Sequence, residues 1–143
     1  MTEVPPILLS AVICERVIFD RVTSMPSLIN VIQQISAPRY PVRHFLVFFC
    51  EFTNGHGKTR TRVKIVDAEQ EDKVLFQQEG VVEFKDVKQI VTLAVNLQGI
   101  TFSQPGEYLF QIFAQRQLLG ERRLICKKIR LRPRGGGVSE IGP

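Results

Sequence analysis

The 143-residue sequence has no tryptophan, only two histidines, and three cysteines without a CxxC pair. Cys14, Cys50 and Cys126 each lie among apolar residues, which predicts buried reduced thiols rather than disulfides. No apolar run is long enough to span a bilayer. The N-terminal residues also lack the basic segment of a secretory signal. We therefore expect a cytoplasmic protein with no membrane span.

Motifs for catalysis and for cofactor binding are equally scarce. His44 and His56 have no second ligand at zinc spacing. The Gly-Lys-Thr at 57–59 lacks the earlier glycine of a phosphate loop, and an alternating segment follows where a helix is required. The acidic residues 67–72 lack the pattern of a calcium loop and predict a turn. The sequence thus predicts a protein that is not an enzyme and has no cofactor or metal, with a site assembled from distant residues as the open alternative.

Alternating apolar residues are abundant in the rest of the chain. In residues 59–66, Thr61, Val63 and Ile65 would face a core while Arg60, Arg62 and Lys64 face solvent. Turn signals lie at 54–57 (NGHG) and at 105–106 (Pro-Gly). Further strands are predicted at 7–19, 27–37, 44–52, 73–79, 81–86, 89–97, 107–115 and 118–131.

Short strands at this spacing predict an all-β fold, an antiparallel β-sandwich of about eight strands. Residues 27–37 also allow a helix, with Leu28, Ile32 and Ile35 on one side, but Ile29 and Val31 would crowd its polar side, so we expect a strand. The buried set of the sandwich is predicted to include Val63, Ile65, Val91, Leu93, Tyr108 and Phe110.

The net charge of +5 is concentrated near the C-terminus. Residues 1–115 carry 11 basic and 12 acidic side chains, whereas residues 116–143 carry 8 and 2. We expect a sandwich domain over 1–131 and a flexible, basic, glycine-rich tail over 132–143. Candidate binding residues are a basic cluster of Arg122, Arg123, Lys127 and Lys128, and a tail set of Arg130, Arg132, Arg134, Gly135 and Gly136.

Nucleic acid is a weakly supported partner for these basic residues. Lysine and arginine attract phosphates. However, no aromatic residue follows Phe113, so stacking platforms for bases are absent from the basic C-terminal part. A protein partner is therefore favoured.

Four segments resemble an uncharacterised bacterial family of small β-sandwich domains of unknown function. They are AVICERVIFD, SLINVIQQISA, PGEYLFQIFA and RRLICKKI, within residues 8–131. The resemblance implies a soluble accessory or interaction domain and supplies no catalytic residues. The sequence departs from it in the FAQRQLLGE hairpin, which has no Asp-Gly turn, and in the basic tail.

The tail resembles a second family over five residues. Residues 132–136, Arg-Pro-Arg-Gly-Gly, are similar to the Arg-x-Arg-Gly-Gly end of ubiquitin-like modifiers, with Pro133 in place of the usual leucine. This resemblance implies processing after Gly136 and transfer of its carboxylate.

The sequence therefore predicts a non-enzymatic interaction module that binds another macromolecule through a sheet edge or through its basic C-terminal region. A modifier precursor is the alternative. Residues 73–79 and 81–86 carry few of the charges that block pairing at sheet edges, so we also expect a homo-oligomer formed through edge strands.

Overall fold

The computed structural model describes residues 4–130, which form nine β-strands and no helix. Within this range no helix meets the length and apolarity that a bilayer span requires. The strands are β1 (Ile7–Phe19), β2 (Pro26–Val31), β3 (Gln34–Ala37), β4 (Val42–Thr53), β5 (Gly57–Asp67), β6 (Val74–Phe84), β7 (Val91–Phe102), β8 (Gly106–Ala114) and β9 (Gln117–Lys128).

The strands form two sheets that pack as a sandwich, which confirms the predicted all-β fold class. A four-stranded sheet has the order β2-β1-β4-β7, and a five-stranded sheet has the order β3-β9-β8-β5-β6. All neighbouring strands are antiparallel except β3 and β9, which are parallel. The predicted boundary between residues 131 and 132 lies outside the described residues.

The predicted strand at 27–37 is in fact two strands in different sheets. β2 pairs with β1, and β3 pairs with β9. The break between the two strands falls at residues 32–33. Near the end of β2, Asn30 has a φ of 54°, which asparagine tolerates better than most residues. The amide of Ile32 then donates to the carbonyl of Ile13, 2.8 Å away, before the chain crosses to the other sheet. The apolar pattern is similar before and after this crossing, so the sequence alone does not show where the chain passes from one sheet to the other.

The two strands predicted at 73–79 and 81–86 are one continuous strand, β6. Gly80, which lies between the two predicted segments, stays extended and pairs with Thr61 of β5. A lone glycine without a second turn residue does not reverse the chain.

The core lies between the sheets and is rich in phenylalanine. The rings of Phe48 and Phe110 meet edge to face at 5.6 Å, and those of Phe102 and Tyr108 at 4.9 Å. Such pairs add to the energy of burial. The Tyr108 hydroxyl donates to the Gln104 carbonyl at 2.6 Å, so its one polar group is satisfied.

Four of the six residues predicted to be buried are buried: Val63, Ile65, Tyr108 and Phe110. Val91 and Leu93 face the core as expected, but each is only half-buried. They lie on β7, an edge strand, where one flank has no neighbouring strand to cover side chains. The predicted orientation of these two side chains toward the core is therefore confirmed, but the prediction that they are fully buried was wrong.

Candidate functional site

The predicted basic cluster lies along β9 but does not form one surface. Leu124 and Cys126 are buried in the core, so Arg122 and Lys128 follow their side of the strand. Arg123 and Lys127 lie on the opposite, outer side of the sheet. The structure therefore divides the four residues between two faces of β9, and their role in binding stays a prediction.

Arg122 connects the two sheets. Its Nε donates to the Ala11 carbonyl of β1 at 2.5 Å. β2 pairs with β1 only from Cys14 onwards, so on that flank of β1 no strand lies beside Ala11. A charged donor to an otherwise unpaired edge carbonyl stabilises this side of the sandwich.

Arg123 and Lys127 are at the surface. The Nε of Arg123 lies 3.5 Å from Oε2 of Glu107, with 61% and 46% of the two side chains exposed. Exposed pairs of this kind contribute little to stability. Lys127 contributes its backbone: its carbonyl accepts a 2.7 Å hydrogen bond from the Tyr40 hydroxyl.

Most of the predicted tail set lies outside the described residues. Arg130 is exposed just after Ile129, whose amide donates to the Ala37 carbonyl. Arg132, Arg134, Gly135 and Gly136 are beyond the described range, so binding by the tail stays a prediction. The modifier hypothesis gains no support from the domain, because residues 4–130 contain no helix such as the β-grasp of ubiquitin carries.

The three cysteines are buried and free, as predicted. Burial raises the pKa of the Cys50 thiol to about 12 and that of the Cys126 thiol to about 11. Burial also raises the pKa of Cys14. Neutral thiols are weak nucleophiles. No three His, Cys, Asp or Glu side chains within residues 4–130 are grouped to hold a metal ion.

β6 is the longer of the two edge strands of the five-stranded sheet. It is hydrogen-bonded to β5 alone. After an irregularity near Leu75, residues 76–84 pair without interruption with residues 57–65 of β5. Nine consecutive extended residues thus present one flank with no hydrogen-bonded partner strand.

The middle of β6 is exposed on both faces of the sheet. Residues 77–81 are all exposed, and Val81 retains 61% of its accessible surface. The strand contains no proline and no lysine, and Glu79 and Glu83 are its only charged residues. It therefore has few of the devices that block strand pairing at an edge.

The other three edge strands are better protected. β3 has four residues, and β2 has six and begins with Pro26. β7 is long, but it is bent at Gly99, whose φ is +82°. Arg43 covers that bend, with its Nε 3.3 Å from the Gly99 carbonyl. Short strands, prolines and bulges are the usual protections of an edge.

The candidate site is accordingly the β6 edge. The strands predicted at 73–79 and 81–86 had suggested an edge there, yet none of the predicted binding residues lies on β6. The signal in the sequence was the absence of proline and lysine over residues 74–84.

Comparisons with known proteins place the chain in a family without assigning a function. Residues 9–127 match the model of the family of unknown function DUF6941, and the chain belongs to that family. No curated protein sequence matches the chain. Among solved structures, the fold is similar to the CARDB domain of a Pyrococcus furiosus protein, in complex with di-metal ions. The identity is 11% and the TM-score 0.42, over 90% of this chain and 100% of that one. A likeness at this level carries no information about ligands.

Proposed function

We propose that this member of the family is a non-enzymatic interaction module whose β6 edge accepts an added antiparallel strand. The observation that carries the proposal is the uninterrupted, unprotected edge of residues 76–84. On such an edge alternate residues point their amides and carbonyls away from the sheet. A partner strand satisfies these groups, which is how strand addition generates affinity.

The partner that fits this edge best is β6 of a second copy. The regular segment 76–84 is centred on Gly80, so a two-fold axis there pairs the whole segment with itself. In this register Phe76 faces the partner's Phe84, and Glu79 faces the partner's Val81. Glu83 faces the partner's Gln77, so no like charges are opposed, which favours the pairing.

The register also predicts how charge at position 81 changes the assembly. Val81→Glu places a carboxylate opposite Glu79 of the other copy twice in each dimer, which weakens the pairing. Val81→Lys places an ammonium there twice, which strengthens it. At roughly 0.2–1 kcal/mol for each pair, repulsive in one variant and attractive in the other, the two variants should differ about fourfold or more in dimer dissociation constant.

Sedimentation equilibrium of the full chain tests this prediction. Within one chain, position 81 lies opposite Arg60, so the Glu variant gains a favourable intramolecular pair and the Lys variant an unfavourable one. Loss of dimer in Val81→Glu therefore does not reflect a weakened fold. A monomeric wild type at tens of micromolar, or equal effects of the two substitutions, would contradict the proposal.

A further inference from the structure

A basic groove lies on the outer face of the five-stranded sheet, beside the hairpin turn between β8 and β9. Its volume is about 1130 Å³. Four cationic side chains and one carboxylate line it, together with the ring of Phe113. The cations are Lys58, Arg60, Arg62 and Arg116, and the carboxylate is Glu79. Arg116 belongs to the basic C-terminal region seen in the sequence, but none of the four cations was among the candidate binding residues.

The β5 strand arranges three of these cations in a row. Lys58, Arg60 and Arg62 alternate with the buried residues Thr59 and Thr61, so they share the outer face. Successive members are about 7 Å apart, because an antiparallel strand rises about 3.4 Å per residue. Lys64 continues the row beyond the groove.

Arg62 is held in place by an aromatic ring. Its guanidinium carbon lies 4.8 Å from the centroid of Phe113, the neighbouring residue on β8. A guanidinium on a ring face is attracted by the ring quadrupole, and its planar donors are thereby preorganised. Arg62 thus combines a fixed charge with a flat surface at the groove wall.

The turn supplies the fourth cation. Gln115 and Arg116 both have positive φ values, 50° and 69°, as a type I′ hairpin turn requires. Asparagine and glycine are the usual residues there. The Gln115 amide donates to the Arg60 carbonyl at 3.1 Å, which holds the turn against β5. The backbone of Arg116 is consequently held beside the row of cations, and its side chain lines the groove.

These positive charges are poorly neutralised. Glu79 lies opposite Arg62 in the strand register, yet no ion pair within 4.0 Å joins any of the four cations to a carboxylate in the described part of the chain. Like charges gathered at one place repel each other. A multiply charged anion relieves that repulsion and gains from each cation.

We infer that the groove binds single-stranded nucleic acid through its phosphates. The cation row runs in a line, as the phosphates of an extended strand do, and the Arg62 plane offers a surface on which a base can stack. An acidic peptide fits less well. β5 is hydrogen-bonded on both flanks, so a peptide would find no free backbone groups on this face and would be held by its side chains alone. The groove adjoins the β6 edge, since Glu79, Gly80 and Val81 also line it, but its cations lie on β5 and in the β8–β9 turn.

Fluorescence anisotropy with a labelled single-stranded oligonucleotide tests the inference on the full chain. Four phosphate contacts predict an affinity loss of about 50-fold between 50 and 200 mM salt. The variant Arg60→Gln/Arg116→Gln removes two contacts at exposed positions. It should bind at least tenfold more weakly at 50 mM salt, and its salt-dependent loss should fall to about 7-fold.

Two matched controls remove the same charge elsewhere. Arg21→Gln/Arg39→Gln changes exposed arginines outside the groove, and Arg132→Gln/Arg134→Gln changes the tail. Both should retain the wild-type salt dependence. Thermal unfolding of each variant confirms that it is folded, and Arg60→Lys/Arg116→Lys should restore most of the binding.

Several results would overturn the inference. The first is that either control variant weakens oligonucleotide binding as much as the groove variant does. The second is that the wild type does not bind the oligonucleotide, and the third is that it binds duplex as tightly as the single strand. Tighter binding of poly-glutamate than of the oligonucleotide would assign the groove to an acidic peptide instead. The Gln77→Glu variant separates this site from the edge, because residue 77 does not line the groove. Its carboxylate would face Glu83 of the other copy, so it should weaken the dimer and leave oligonucleotide binding unchanged.

Discussion

β3 and β6 close the two ends of the same five-stranded sheet, and they differ in almost every respect that governs strand pairing. β3 has four residues, two of them buried, and the Tyr40 side chain crosses its end to reach Lys127. β6 has eleven residues, and five consecutive ones at its centre are exposed. Of the two edges, only β6 offers a long row of free backbone groups. The comparison indicates that the length of an edge strand and its cover by side chains, rather than its hydrophobicity, distinguish a closed edge from an open one.

The largest expected effect concerns how firmly β3 is attached. Ile35 is 4% exposed and belongs to the core, whereas Gln78 on β6 is exposed. Ile35→Ala should reduce the free energy of unfolding by about 2–5 kcal/mol. Gln78→Ala should change it by less than about 0.5 kcal/mol. Denaturant unfolding of both variants measures the contrast, and similar losses would show that the two edges are equally anchored.

The next effect is a difference in stability between variants of two adjacent arginines on β9. Arg122→Ala removes the donor to the Ala11 carbonyl and should cost about 1.5–3 kcal/mol. Arg123→Ala removes only an exposed ion pair and should cost no more than about 1 kcal/mol. Urea titrations of the two variants give both values, and an Arg123 loss as large as the Arg122 loss would contradict the assignment.

The smallest effect near neutral pH is a pH dependence that β3 helps to create. Cys126 pairs with Ile35 of β3, and burial raises its pKa to about 11. A folded-state pKa above the unfolded value means that this contribution to stability is complete below the unfolded pKa, near 8.5. It is lost as the pH rises through about 11. The unfolding midpoint should show no loss from this thiol between pH 7 and 8, followed by a decline above pH 9 that Cys126→Ala reduces.

Local alternation predicted the sandwich well, because a strand with one buried face carries its burial pattern in its own residues. The alternation of residues 59–66 gave the correct face for Val63 and Ile65. Contacts between distant segments could not be predicted in this way. The crossing between β2 and β3 depends on which sheet each half joins, and residues 27–37 carry the same kind of apolar residues throughout.

The candidate sites show the same limit. Arg122 and Arg123 are equivalent as sequence, and only the pairing of β9 with its neighbours makes one a link between sheets and the other a surface residue. Arg62 and Phe113 meet because β5 lies beside β8, 51 positions away in sequence. The open edge was partly visible, since residues 74–84 contain neither proline nor lysine.

The most direct test of the central claim is a disulfide cross-link at the two-fold axis of the proposed β6 pairing. Directly opposite residues have Cα atoms about 4.5–5.5 Å apart, within the range that a disulfide spans. Gly80→Cys adds a thiol where the nearest atom, Thr61 Oγ1, would be 3.6 Å from the new Cβ, and the three native cysteines are buried. The control is Glu83→Cys, whose two copies would lie about 20 Å apart in this register. The account predicts that mild oxidation converts most of the Gly80→Cys protein into a reducible dimer and leaves Glu83→Cys monomeric. The absence of a Gly80→Cys dimer, or equal cross-linking of both variants, would contradict it.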